Sequence, residues 1–335
     1  MKAMRQREQR GIAAITAMLV VALATVLAVE LLWNTSLDLR RTQNLLERDQ
    51  AQQIAIGLEL LAGELLRADY EDDPAVDGLS ERWAEEYGFP FEGGNVVGQL
   101  EDMQGRFNLN SLVNERGQPV PAAIEHFRRL IEIVLANDSD LDADPDSVID
   151  AIVDWLDPNT APDGIGGAED GVYTNRTPPY RAANFWFTTP TELLAVANIT
   201  PELYARLENL VTALPPTAAP SINVNTARPE VLQSLATDVS PSEIQAWVEN
   251  RLGVPDTNGG TDFLEQVFGE QEIPAPGRNS QQDDDRPKVP LGSNTEWFRL
   301  TVIVSVGSTR LAMYSLLQRQ SNGSGMAVLR AFDTP

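Results

Sequence analysis

The stretch from Gly11 to Leu32, GIAAITAMLVVALATVLAVELL, constrains this chain more than any other part of it. Several lysine and arginine residues precede it, and no charged side chain then occurs before Glu30. An apolar run of about this length is enough for an α-helix to cross the ~30 Å hydrocarbon core of a bilayer. Since basic residues favour the cytoplasmic side, we expect a single-pass inner-membrane protein with a cytoplasmic N-terminus and a periplasmic head.

A cleaved secretory signal peptide is the main alternative for such a segment. A small-x-small cleavage site should follow its apolar core, but here the core runs on into VELLW. Leucine and isoleucine then recur at roughly helical spacing from Leu37 to Leu66, and no proline occurs before Pro74. The pattern predicts one helix from Ile12 to about Arg67, roughly 80 Å long at 1.5 Å per residue.

A short basic leader ending in Gly11, followed by an apolar helix that continues as an amphipathic one, resembles the type IV pilins and the pseudopilins of type II secretion. In that family a prepilin peptidase cuts after the glycine, which implies cleavage between Gly11 and Ile12. The apolar segment Ile12–Leu32 then stays on the mature protein. Most pilins have Glu as the fifth mature residue, neutralised by the N-terminal amine of a neighbouring subunit, whereas this chain has Thr16. A tip subunit has no neighbour above it and no use for that Glu, because an unpaired buried carboxylate is costly.

The composition argues against several classes of function. The formal net charge of −24 and the pI of about 4.3 disfavour nucleic-acid binding, which needs clustered Lys and Arg. The absence of cysteine excludes disulfides, zinc thiolate sites and cysteine nucleophiles. The only histidine, His126, lies in a helical pattern and is interpreted as a packing residue. A membrane-anchored periplasmic hydrolase therefore has almost nothing to support it, and the chain is predicted not to be an enzyme.

The pattern beyond the long helix predicts two kinds of structure. Val96, Val97 and Leu100 suit a strand, and Arg106–Leu109 is predicted to return beside it as the second strand of a hairpin. Residues 121–252 read as short helices, several of which begin with Pro at the first helical position. Three alternating segments after residue 296 predict an antiparallel meander. The order predicts an α+β pilin fold, a long N-terminal helix on a small antiparallel sheet, with a large all-α insertion.

The densest group of oxygen-bearing side chains lies between Val153 and Tyr173, a segment that we call the acidic loop. Its members are Asp154, Asp157, Asp163, Glu169 and Asp170, with Asn159 as a neutral oxygen donor. Glycines there let the backbone turn tightly. Calcium binds 6–8 oxygen ligands, so the loop is a candidate calcium site, although an acidic surface loop with Asx-turns is the alternative. The following segment TPPYRAANFWF is interpreted as a rigid packing segment with Tyr180, Phe185 and Trp186 as anchors.

A more specific resemblance rests on motif order: RFNLNSL, VDWLDP, GAEDGVY, PPYRAANF, TELLAV and INVNTARPEVL. This order closely resembles the minor pseudopilin K family of the type II secretion system, over essentially the whole chain. The resemblance implies a pilin fold with a large helical insertion, bound structural Ca²⁺, and association with pseudopilins I and J at the pseudopilus tip. It also implies contact with the major pseudopilin and the prepilin peptidase. The matching candidate ligands are Asp157, Asp163, Glu169 and Asp170.

The resemblance also implies a division of the chain. Residues 1–11 form the leader and 12–32 the transmembrane and fibre-core helix. Residues 33–109 and 286–335 form the pilin-like head, and 110–285 the inserted SAM-like or helix-hairpin-helix-like domain, in two parts of about 110–216 and 220–285. The implied function is a non-enzymatic minor pseudopilin that caps the tip and takes part in export of folded proteins across the outer membrane.

The stretch INVNTARPEVLQSLATDVSPSEIQAWVENR resembles a helix-hairpin-helix unit, which raises the alternative of a DNA-binding or DNA-uptake minor pilin. In such units a glycine-containing turn presents N–H groups to phosphate. Here the turn region Thr237–Ser240 has no glycine and carries an acid, and only Arg228 and Arg251 are basic nearby. We expect this unit to pack against protein and not to bind nucleic acid.

Overall fold

The computed structural model describes residues 2–215, 221–237, 239–268 and 288–334, with side chains from residue 13 onward. The helices are α1 (Lys2–Asp72), α2 (Pro121–Asn137), α3 (Pro145–Leu156), α4 (Asp170–Tyr173), α5 (Pro201–Leu207), α6 (Pro229–Gln233), α7 (Pro241–Asn250) and α8 (Thr261–Phe268). The strands are β1 (Tyr87–Phe91), β2 (Gly94–Asp102), β3 (Phe107–Asn108), β4 (Val211–Thr212), β5 (Ile222–Asn223), β6 (Leu291–Gly292), β7 (Trp297–Val306), β8 (Thr309–Arg319) and β9 (Gly325–Phe332). Short 3₁₀ helices span Arg82–Ala84, Leu109–Leu112 and Pro190–Ala195.

Helix α1 is unbroken, as its sequence predicts, and it ends just before Pro74, which cannot continue a helix. Its C-terminal half lies on one face of the sheet. Small residues such as Ala51 and Ala55 are fully buried there, and Leu66 fills the space further along the helix. The small side chains let the helix approach the strands closely, so that this half of α1 is part of the head's core.

The sheet has five antiparallel strands in the order β1-β2-β7-β8-β9. In β7 buried and half-buried residues alternate, which is the period-2 pattern of a strand with one face on a core. Strands β7, β8 and β9 follow one another as neighbours, so the predicted C-terminal meander is confirmed.

The predicted hairpin is wrong in its second strand. Strand β2 pairs with β7 and, through a turn at Glu92–Gly93, with the preceding β1. The expected partner, Phe107–Asn108, instead pairs in parallel with β4 in the helical part of the chain. The physical reason is burial, because the Phe107 ring stacks on Phe127 of α2 with a centroid distance of 4.8 Å.

A second core holds the helical part of the chain together, from Phe107 to Val267. Its helices begin as their sequences predict. The Asp144 side chain accepts a hydrogen bond from the Ser147 N–H at 3.2 Å, and Thr200 accepts one from the Leu203 N–H at 3.2 Å. The predicted internal boundary near 216–220 and the boundary at 286 lie outside the described residues.

Two of the three predicted aromatic anchors are exposed, and the third, Tyr180, is half-buried. Tyr180 packs on Tyr173 with a centroid distance of 5.4 Å, as expected of an anchor. Phe185 and Trp186 instead stay 50% and 44% exposed and contact each other at 3.8 Å. The interpretation of these two residues as packing anchors is therefore wrong.

Candidate functional site

The N-terminal half of α1 has a bare apolar surface. Each large apolar side chain that the structure describes from Ile15 to Trp33 is more than half exposed. Among the described residues, the helix that contains this segment is the one long and apolar enough to cross a membrane. The two hydroxyl groups in the segment do not need outside partners, because Thr16 and Thr25 donate to the Ala13 and Val21 carbonyls at 3.0 and 2.7 Å. The surface therefore suits a bilayer or a neighbouring apolar helix.

The acidic loop connects the C-terminal end of α3 with α4. Asp154 lies in the last turn of α3, Asp157 caps that end, and Glu169 is the N-cap of α4. Asp154, Asp157 and Asp163 each place a carboxylate oxygen within 4.8 Å of the other two. Asp154 and Asp157 are buried and Asp163 is exposed, so the group opens toward solvent on the Asp163 side.

Asp154 organises the loop around this group. Its two carboxylate oxygens accept hydrogen bonds from the Asp163 N–H at 2.9 Å and the Ala168 N–H at 2.6 Å. Gly167 makes the tight path possible, since a Cβ there would lie 2.3 Å from the Asp163 carbonyl oxygen and 2.7 Å from Asp154 Oδ2. Asp157 is fixed by Asn159, whose backbone N–H donates to Asp157 Oδ1 at 3.0 Å and whose side-chain amide donates to Oδ2 at 2.8 Å.

Glu169 is the least satisfied acid of the loop. It is 6% exposed, and both of its carboxylate oxygens are buried without a hydrogen-bond donor among the described residues. Burial raises its pKa to about 7, and the nearby carboxylates of Asp154, Asp157 and Asp170 add to the effect. Burial also raises the pKa of Asp154 and of Asp157. Several buried carboxylates without a positive partner destabilise the folded chain. A bound divalent cation would supply the missing positive charge.

The donor set fits a hard cation such as calcium better than zinc or copper. The groups that converge are hard carboxylate oxygens, without histidine or cysteine, and the loop is glycine-rich. Asp154, Asp157 and Asp163 could hold such an ion, since their carboxylates converge. Glu169 is a further candidate, because its buried oxygens lack a donor among the described residues and the charges of Asp154 and Asp157 act on it. Asp154 was in the sequence constellation but not among the selected ligands, since nothing in the sequence shows that the α3 side chain faces the loop.

Asp170, the fourth selected residue, points to a different set of partners. Its Oδ1 accepts a hydrogen bond from the Ala182 N–H at 3.2 Å, and its Oδ2 lies 3.4 Å from the Arg181 guanidinium. Asp170 thus ties the start of α4 to the segment after the loop. The selection of Asp157, Asp163, Glu169 and Asp170 as ligands stays a prediction. The ligand set that the geometry favours has Asp154 in place of Asp170.

Comparison with known proteins identifies the family. Models described as "Type II secretion system (T2SS), protein K" match residues 105–216 and 222–276. The type II secretion system protein K of Aeromonas hydrophila is 31% identical over 327 residues, covering 93% of this chain and 94% of its own length. That of Pseudomonas aeruginosa is 33% identical over 326 residues, covering 95% and 91%. The chain belongs to the type II secretion system protein K family.

A solved structure supports the fold of this protein K family member. It is the crystal structure of the GspK-GspI-GspJ complex from the type 2 secretion system of enterotoxigenic Escherichia coli. The likeness has a TM-score of 0.72 at 24% identity and covers 88% of this chain and 100% of that one. The resemblance inferred from the motif order and the α+β fold class are both confirmed. The relatives are named as components of a secretion system.

The segment that resembles a helix-hairpin-helix unit folds into α6 and α7. Arg251, at the end of α7, is buried, and its Nη1 donates to the Val224 and Ala227 carbonyls at 3.0 and 2.6 Å. Both carbonyls precede α6, at the opposite end of the helix pair from the connecting turn. Arg251 is therefore not positioned to support phosphate binding at that turn. Asp238, in the middle of the predicted turn region, lies outside the described residues.

Proposed function

We propose that this chain is a non-enzymatic minor pseudopilin that caps the tip of the type II secretion pseudopilus and takes part in export of folded proteins across the outer membrane. The observation that carries the proposal is that α1 is one unbroken helix, with an exposed apolar N-terminal half and a C-terminal half that packs in the core of the head. Such a helix can be held in the inner membrane before assembly and can pack among similar helices afterwards. Membership of the protein K family supports the same role.

The leader and the anchor follow from the same helix. The prepilin peptidase is expected to cut between Gly11 and Ile12 and to leave Ile12–Leu32 as the membrane anchor. The basic N-terminal residues favour a cytoplasmic N-terminus, which places the head in the periplasm.

The tip position rests on Thr16. Its hydroxyl is satisfied inside its own helix, by the bond to the Ala13 carbonyl described above, so it needs no amine from a neighbouring subunit. A glutamate at this depth would need such a partner, since an unpaired charge in an apolar environment is strongly unfavourable. A subunit with Thr16 can therefore occupy the end of the fibre, where the large helical part of the head meets no further subunit.

The proposed direct partners are pseudopilins of types I and J, with the major pseudopilin below them. The support is that the similar E. coli chain, GspK, was solved in a complex with GspI and GspJ. A DNA-uptake role is less favoured, because the net charge of −24 opposes contact with a phosphate backbone.

Bound calcium is proposed to have a structural role. Asp154, Asp157, Asp163 and Glu169 would hold the ion, which would supply the positive charge that these acids lack. Because the ligands come from the end of α3, the loop and the start of α4, binding would fix the connection between the two helices. The support is the buried Glu169 carboxylate without a donor.

A processing assay and a secretion assay test the proposal together. In cells with the prepilin peptidase, the wild-type chain should lose its leader, while Gly11→Val should keep it and fail to restore secretion in a strain that lacks the gene. Gly57→Ala is the matched control, because a Cβ at Gly57 meets nothing within 4 Å. Normal processing of the Gly11 variant, or full secretion without the gene, would contradict the proposed function.

A further inference from the structure

A cavity of about 390 Å³ lies between the sheet and the α6–α7 helix pair, outside the acidic loop. Arg106, Arg228 and Arg251 line it, together with Glu101 and apolar side chains that include Leu79. Three arginines in one cavity stand out in a chain whose net charge is −24. We call this the arginine cavity.

The positive charge in the arginine cavity is only partly compensated. Glu101 is the carboxylate that pairs with Arg106, at 3.1 Å, but it is shared with Arg299, at 2.5 Å. Asp102 is buried in the wall, where its oxygens accept hydrogen bonds from the Thr226 hydroxyl at 2.5 Å and the Gln104 N–H at 2.6 Å. The arginines thus leave a surplus of positive charge for an incoming group.

Arg251 has no acidic partner among the residues that the structure describes. It is 6% exposed, its Nη1 donates only to backbone carbonyls, and its Nε is buried without an acceptor among the described residues. Burial lowers its pKa to about 10. A guanidinium that is desolvated and not paired with a carboxylate is an uncompensated charge, which a nearby anion would stabilise.

Arg228 is the accessible member of the group. It is exposed, and its guanidinium makes no hydrogen bond or ion pair with the residues that the structure describes. Burial and Arg299 lower the pKa of Arg106 to about 10, and Arg228 adds to that effect. Burial opposes the lowered pKa of Glu101, which is due to Arg299 and Arg106 first and to Arg228 in smaller part. A group that enters the cavity would meet Arg228 first, with the half-exposed Leu79 on the same wall.

We propose that the arginine cavity binds a carboxylate side chain on an acidic segment of a partner protein. A guanidinium favours a carboxylate because it can donate two parallel hydrogen bonds. A single negative charge suits the cavity better than a nucleic-acid backbone, since Glu101 and Asp102 also lie in its wall and the rest of the protein is acidic. Leu79 would contact an apolar residue beside the acid.

The test uses the full-length protein in detergent micelles, labelled with ¹⁵N-arginine, and short acetylated and amidated peptides. One peptide has a glutamate beside a leucine, and the matched peptide has glutamine in place of glutamate. The Nε–H signal of Arg228, identified by its loss in Arg228→Gln, is followed by NMR as each peptide is added. We expect saturable binding of the glutamate peptide with a Kd near 1 mM and binding of the glutamine peptide about tenfold weaker, as expected for one charge-assisted hydrogen bond.

Variants separate the cavity from general charge attraction. Arg228→Gln should weaken binding of the glutamate peptide about tenfold, as followed on the NMR signals of the peptide. Arg116 is an exposed arginine on another loop, and Arg116→Gln should leave binding unchanged. Equal binding of the two peptides, or inorganic phosphate displacing the glutamate peptide at lower concentration, would overturn the proposal. So would equal effects of the two variants. The peptide comparison on the wild-type protein stands even if a variant folds poorly.

Discussion

Glu169→Gln should stabilise the metal-free protein and weaken its stabilisation by calcium. In the metal-free fold the Glu169 pKa is raised from 4.5 to about 7, by burial first and then by the Asp154 and Asp157 carboxylates. A difference of about 2.5 pKa units corresponds to about 3 kcal/mol at 1.36 kcal/mol per unit. Because the pKa is higher in the folded chain, stability falls as the pH rises above 4.5, and the full cost applies above pH 7.

Glutamine carries no charge at any of these pH values. At pH 8 with chelator, we therefore expect Glu169→Gln to raise the free energy of unfolding by up to about 3 kcal/mol. Each kcal/mol should raise the melting temperature by roughly 2–4 °C. Calcium at a hundred times its Kd should stabilise the wild type by about 2.7 kcal/mol. It should stabilise the variant much less, since one ligand carboxylate is missing.

The assay is thermal unfolding of the full-length protein in detergent at pH 8, with EGTA and with calcium. Asp170→Asn is the control, because that side chain is held by Ala182 and Arg181 and should leave the calcium response in place. The reasoning is refuted if Glu169→Gln lowers the metal-free melting temperature and the variant responds to calcium as strongly as the wild type does.

Two further predictions concern packing and protonation. Gly63→Ala should destabilise the head by about 1–3 kcal/mol in chemical denaturation, because its Cβ would lie 2.6 Å from the Gly325 carbonyl oxygen. Gly57→Ala, with open space around its Cβ, should instead be neutral or stabilising by up to about 1 kcal/mol, and equal effects of the two would contradict this account. His126 should stay neutral down to about pH 4, because burial lowers its pKa to about 4. Its ring signals in NMR, unique in this chain, should not titrate near pH 6.5, and titration there would show that the ring is not buried.

The sequence predicts the parts of this fold that depend on local signals. The long α1 follows from hydrophobic spacing and the late first proline. The helix starts at Asp144 and Thr200 follow from capping side chains, and both bonds are present. The meander follows from alternation with short turns.

The errors arise where a long-range contact decides the structure. Arg106–Leu109 has the alternation of a strand, but the chain leaves the sheet there because Phe107 packs on Phe127 in the helical part. Phe185 and Trp186 are aromatic and were expected in the core, yet their burial depends on neighbours that the sequence does not specify. They contact each other at the surface instead.

The candidate calcium site shows the same limit. The composition of the loop indicates hard oxygen donors, and the family resemblance selects Asp157, Asp163, Glu169 and Asp170 among them. The orientation of Asp154, by contrast, depends on which face of α3 meets the loop, and only the three-dimensional structure gives it. The lack of a hydrogen-bond donor for the buried Glu169 carboxylate is likewise visible only once its surroundings are known.

Co-purification tests the central claim most directly. The full-length protein, extracted in detergent, is co-expressed with the type I and type J pseudopilins of the same bacterium and isolated through a tag on one partner, with calcium and with EGTA. The account predicts a stable complex that contains all three proteins and is weakened by EGTA. Failure to recover a complex in either buffer, although each protein is folded and processed, would contradict the role at the pseudopilus tip.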